Sequence, residues 1–116
     1  MRILHTLTST LCISLAATSA LADRGSSCHF HGNKPAAEPV VIGCADARRA
    51  TLIKAGKLDP SWAAIKHEKI EQVDGKKGRE WKLTYQNPAA PDKSKQSLYL
   101  FFTAPGNFVA GNHTGP

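Results

Sequence analysis

The chain has 116 residues, 15 of them basic and 9 acidic, and 41% of it is hydrophobic. That length admits one domain with a modest core. The basic residues fall singly apart from Lys76-Lys77-Gly78-Arg79, which is not the stripe a nucleic-acid binder needs, so nucleic acid is not an expected partner.

Arg2 and His5 lead into an apolar run from Leu7 to Ala17, and Ala20-Leu21-Ala22 supplies the small residues that a signal peptidase requires before its cut. A run of about eleven apolar-rich residues is too short for a membrane helix, which needs roughly twenty. Residues 1–22 are therefore expected to be a cleaved signal peptide, leaving no stable membrane span, and the remainder is expected in the periplasm or secreted. Cys12 follows Leu11 rather than a small residue, which argues against a lipid anchor. Cleavage removes Arg2 and no acid, leaving 14 basic against 9 acidic residues and a net charge of +5. Such a balance suits weak attraction to anionic lipid or an acidic partner.

Residues 23–37 are rich in Gly, Ser, Pro and His and offer little beyond Phe30 and Cys28 to bury, so they read as an irregular His-containing arm. The single small α+β domain is expected over 38–116. Without Cys12, Cys28 and Cys44 remain, in a compartment that oxidises thiols. Compartment and parity favour a disulfide between them; thiolate ligation or a redox role is the competing reading.

Glu38-Pro39 suits the opening turn of a helix running to about Ala55, with Lys54 and Gly56 as stop signals. Val41, Cys44, Ala45, Leu52 and Ala55 make its buried stripe, with Arg48 snorkelling on that side. Asp59-Pro60-Ser61-Trp62 reads as a cap and a short turn that lays Trp62 on the core.

Alternation then takes over. Lys66–Val73 is a poor, charged strand suited to a sheet edge, and Asp74–Gly78 is a hairpin turn. Glu80–Gln86 places Trp81, Leu83 and Tyr85 on one face, the inner one. Asn87-Pro88 stops it, and Ala89–Lys95 is a polar connection. Leu98–Thr103 is apolar on both faces, as in a central strand covered on both sides, and Ala104–Asn107 turns the chain into a last strand, Phe108–Asn112. One amphipathic helix followed by four strands with short connections predicts a four-stranded antiparallel meander with the helix across one face.

Imidazoles and thiols gather in Cys28-His29-Phe30-His31, with Cys44 and His113 further on. These ligand types suit copper or zinc, and His29, His31 and His113 are the candidate metal ligands, against the plainer reading of solvated arm histidines. His67 lies in the charged edge strand and is expected in solvent. Asn112-His113-Thr114 fits a glycosylation sequon, but a strand end built on Asn112 and Gly115 explains it as well. Nucleophile–base pairs, paired carboxylates and a Gly-rich phosphate loop are not visible, so no catalytic residue is expected and the chain is not expected to be an enzyme.

Cys28-His29-Phe30-His31-Gly32, the run Lys54–Trp62, the run Glu80–Pro88, and Leu98–Phe102 through Gly106-Asn107-Phe108-Val109-Ala110-Gly111-Asn112-His113-Thr114-Gly115 resemble the signature blocks of a family of small exported bacterial proteins of unknown function. The Gly-x-Phe-x-Ala-x-Asn-His-Thr-Gly ending is the most specific of them. Members often carry a longer His-Gly-rich arm, here shortened to His29-x-His31-Gly32. The resemblance implies no established activity. At fold level the helix and sheet also look like exported inhibitor-type domains of the PepSY sort. Two functions are thus expected to compete: a non-enzymatic periplasmic protein binding a transition metal, and a protein-interaction or inhibitor domain offering an envelope partner its Lys66–Val73 edge or outer sheet face.

Overall fold

The structure, a computed structural model, describes residues 28–116. The signal peptide expected at 1–22, Cys12, and residues 23–27 of the arm lie outside the described residues. The fold is α+β, with helix α1 (Glu38–Lys54) and strands β1 (Lys69–Gly75), β2 (Gly78–Gln86), β3 (Ser97–Thr103) and β4 (Phe108–Asn112). The strands form one antiparallel sheet in the order β1-β2-β3-β4, the predicted meander. No helix among the described residues is long and apolar enough to cross a membrane.

Pro39 in the first turn and Glu38 at the positive end of the helix dipole open α1. Gly56, at φ 75°, closes it: Lys57 N–H donates to the Leu52 carbonyl and Gly56 N–H to that of Ile53, satisfying carbonyls the helix leaves open. The buried stripe is Val41, Cys44, Ala45 and Arg49, with Leu52 half-buried beside it. Ala55 is exposed, a correction to the expected stripe, because the helix has already ended at Lys54. Arg48 does pack inward, with its guanidinium 4.1 Å from the centre of the Phe108 ring. Arg49 is the deeper cation, in line with Val41 and Ala45 at four-residue spacing.

Asp59 caps the following 3-10 turn, Pro60–Ala64, by accepting from the Ser61 N–H, and that bond with the Ser61 hydroxyl holds its carboxyl below the usual range. Trp62, 2% exposed, lands on the core as predicted. Pairing starts at Lys69 rather than Lys66, because the Ile65 carbonyl is taken by Arg49 instead of a neighbouring strand. His67 consequently precedes β1 and is half-buried, not free in solvent. The hairpin is tighter than expected, with Gly75 opposite Gly78 and only Lys76 and Lys77 between them.

Trp81, Leu83 and Tyr85 on β2 and Leu98, Leu100 and Phe102 on β3 make the inner face, closed by α1 and Trp62. The connection after β2 is fixed by buried Asn87, whose side chain donates to the Ser61 hydroxyl and accepts from the Ala89 N–H. Phe101, 9% exposed, and half-buried Tyr99 lie on the outer face, where Lys82 reaches across both rings. No helix or second sheet covers that face among the described residues, so the expectation of a strand layered on both sides is corrected. Single side chains and the C-terminal Gly115, set against Tyr99, do the covering.

Tyr85 is wholly buried, and among the described residues its hydroxyl has no hydrogen-bond partner. Burial pushes its pKa from 10.0 up to about 12, against the attraction of the nearby Arg49 charge. An unfolded chain releases this proton near pH 10 and the folded chain near 12, so between them the folded state binds more protons and stability falls as pH rises. Two pKa units correspond to a loss of about 2–3 kcal/mol across that window. Tyr85→Phe keeps the ring and removes the unpaired hydroxyl. It is expected to leave stability at neutral pH unchanged or raised by about 1 kcal/mol and to flatten the alkaline decline, as read by urea unfolding at pH 7 and pH 11. An equally steep decline in the variant would remove Tyr85 as its source.

Candidate metal site

Cys28 and Cys44 are joined by a disulfide, with Cα atoms 5.7 Å apart, so neither thiol is available as a ligand in this state. The bridge fastens the arm to α1 at Cys28. A second fastening sits at the β3–β4 turn, where Asn107 holds the backbone of Phe30 from both sides: its Oδ1 accepts from the Phe30 N–H at 2.7 Å and its Nδ2 donates to the Phe30 carbonyl at 2.8 Å. The Phe30 ring lies on Gly106, where an added Cβ would approach it to 3.0 Å and φ is 109°, so both contact and backbone favour glycine. A third fastening is the Ala36 N–H donating to the Ala104 carbonyl, which also accepts from the Trp81 indole.

This anchoring dictates where the histidines point. Successive side chains of an extended segment face opposite ways, so with Phe30 turned inward His29 and His31 share the outward side. Both are exposed, and their rings meet edge to face with centres 4.8 Å apart. Neighbouring imidazoles on a backbone held in place can offer two nitrogen donors to one ion, leaving its other positions to water.

His113 lies elsewhere. Its Nδ1 is 2.6 Å from the Ser97 carbonyl, which can only accept, so Nδ1–H donates there. Ser97 opens β3, whereas the Asn107 clamp lies beyond Thr103 at its far end, about 20 Å away at the usual rise per residue. The expected site of His29, His31 and His113 around one ion is therefore corrected: the sheet length separates the third from the pair. Among the described residues no three His, Cys, Asp or Glu side chains are grouped to hold a metal.

His113 instead borders a small hollow of about 120 Å³ with Trp62, Lys57, Lys95 and Asp92. Asp92 is committed to the turn it caps: the Ser94 hydroxyl and backbone N–H hold its carboxyl below the usual range, and Lys95 and His113 add to this. Asn112 gathers the tail, accepting from Thr114 N–H and Gly115 N–H, which is the strand-end arrangement rather than a sequon exposed on a free loop.

Asn107 is the anchoring residue that the sequence did not disclose. As part of Ala104-Pro105-Gly106-Asn107 it has the composition of any turn, and its partner lies 77 residues earlier. Gly106 beside it, followed by Phe108 at the start of a strand, was the available signal that the turn receives another segment.

No curated protein and no solved structure matches the chain, so the likeness to PepSY-type domains gains no support from either. The match of a family model over residues 1–116 does place it: the chain belongs to a family of unknown function, DUF6488.

Proposed function

We propose that this is an exported, non-catalytic binding protein that holds a divalent transition-metal ion between His29 and His31. The carrying observation is the clamp on Phe30, which fixes the backbone between the two imidazoles and keeps both on the solvent side. The disulfide supports the exported setting, since such bridges persist where thiols are oxidised. Among first-row divalent ions Cu²⁺ takes nitrogen donors most strongly, so copper is the first choice and zinc the second. Two protein ligands leave most of the coordination sphere to water or to a partner, which suits a carrier that takes up and hands over its ion better than a structural site, where four protein ligands enclose the metal.

Isothermal titration of the oxidised chain with Cu²⁺ and Zn²⁺ tests this reading. One Cu²⁺ is expected per chain, with affinity at least about tenfold weaker in His29→Ala and in His31→Ala, and unchanged in His113→Ala. Asn107→Ala is expected to weaken binding less, by loosening the backbone that carries the pair. Equal Cu²⁺ affinity in the original chain and the His29→Ala/His31→Ala double variant would end the proposal.

A further inference from the structure

The two outer strands of the sheet differ in kind. β1 carries Lys69, Glu71 and Asp74; Lys69 pairs with Glu71 at 3.4 Å and Asp74 with Arg79 at 3.0 Å. An edge crowded with charges in mutual pairs discourages another strand from adding to it. β4, Phe-Val-Ala-Gly-Asn, has no charged residue; its Val109 is 46% exposed and Gly111 is exposed. The edge expected from the sequence to receive a partner, Lys66–Val73, is thus the guarded one, and among the described residues no further strand pairs with the opposite one.

Both sides of β4 are prepared for company. On the outer side a groove of about 840 Å³ runs from the β1–β2 hairpin to the C-terminal tail, with Val73, Phe101, Val109 and Ala110 as its apolar wall and Lys76, Lys77 and Lys82 among its cations. Of its carboxylates, Asp74 is already matched by Arg79, and Glu80 is folded against Gly75. Among the described residues, the three lysines have no carboxylate within ion-pair distance. On the inner side Arg48, likewise in no ion pair there, lies over Phe108, beside a hollow of about 200 Å³ walled by the disulfide.

We infer that β4 and the groove beside it receive an extended acidic segment of a partner protein, which adds as a fifth strand. The backbone groups along an open edge can be satisfied by another extended chain, which settles the form of the occupant. Its alternate side chains fall on the two faces: carboxylates on the outer one meet the Lys82 ammonium, which already reaches across Tyr99 and Phe101, and apolar side chains on the inner one lie beside Phe108. The β-bulge opposite Phe101 and Phe102 and the five-residue length of β4 limit the added strand to a short one. This inference is independent of metal binding at His29 and His31.

The probe is a short acetylated and amidated peptide alternating glutamate and valine, titrated into the ¹⁵N-labelled oxidised chain without metal. The expected shifts fall on the amides of Phe108–Asn112 and on Phe101 and Lys82, and the affinity drops as salt is raised. A peptide alternating lysine and valine is expected to bind at least about tenfold more weakly. Val109→Glu, a surface change, is expected to weaken binding by about tenfold, and Lys82→Glu by a similar factor with a shallower salt dependence. Shifts on β1 instead of β4, equal affinity for the lysine peptide, an unaltered Val109→Glu, or concentration-dependent pairing of two copies through β4 that excludes the peptide would each overturn the assignment.

Discussion

Arg49→Ala is expected to destabilise the chain by about 2–4 kcal/mol, an effect of the size seen when a buried charged group is removed from partners that depend on it. The residue is 8% exposed, and its guanidinium does three things at once. It donates to the Ile65 carbonyl, pairs with Asp46 at 3.3 Å one helical turn back, and lies with its carbon 5.1 Å from the centre of the Tyr85 ring. Asp46 is half in water, so its pairing contributes little; the carbonyl and the ring face are where the loss falls. Arg49→Met separates the contributions. It retains most of the apolar stem while abandoning the Ile65 carbonyl, so a cost of about 1–2 kcal/mol is expected. With the cation gone, the Tyr85 proton is held more tightly still, so the alkaline decline, which begins where the unfolded chain titrates, should extend to higher pH and become deeper in Arg49→Met. Urea midpoints at pH 7 measure the first effect, and those followed upward from pH 10 the second. A cost below about 0.5 kcal/mol for Arg49→Ala would mean that water replaces the guanidinium at Ile65 without penalty.

Arg49 also marks where the sequence stopped being readable. Val41, Cys44 and Ala45 declare the buried side of α1 by spacing alone, and the alternation in Glu80–Gln86 gave the inner face of β2 residue by residue. Adjacent arginines at 48 and 49 cannot be ranked that way, because both border the stripe. Which one is buried depends on a carbonyl in the connection before β1, whose position only the folded chain sets. The outer face of β3 misled for a related reason: Tyr99 and Phe101 look like residues awaiting a second layer, and a lysine stem with a short tail shields much of them. At the candidate site the pairing of His29 with His31 was legible, since residues two apart on an extended chain must share a side. The separation of His113 was not, because it follows from the strand end to which each segment is tied.

Removing the bridge with Cys28→Ala/Cys44→Ala is expected to cost about 3 kcal/mol, the chain-entropy value for a loop of this size, here a sequence separation of 16. The loss divides between two places. Cys44 is 4% exposed within the core stripe, so its replacement leaves a small void against Val41 and Ala45, whereas half-buried Cys28 on the arm gives up its tether. What then holds the arm is the Asn107 clamp on Phe30 and the Ala36 bond to Ala104. Their worth should fall once the bridge is gone, because the same hydrogen bonds must now order a segment that has become freer. Asn107→Ala is therefore expected to destabilise the bridged chain more than the unbridged one, by about 0.5–1 kcal/mol in a double-mutant cycle. Copper titration follows the same logic: the unbridged chain should bind Cu²⁺ more weakly although both histidines are intact, and adding Asn107→Ala should weaken it further. Affinity unaffected by either change would show that His29 and His31 chelate as a bare pair and that the fold beneath them contributes nothing to the site.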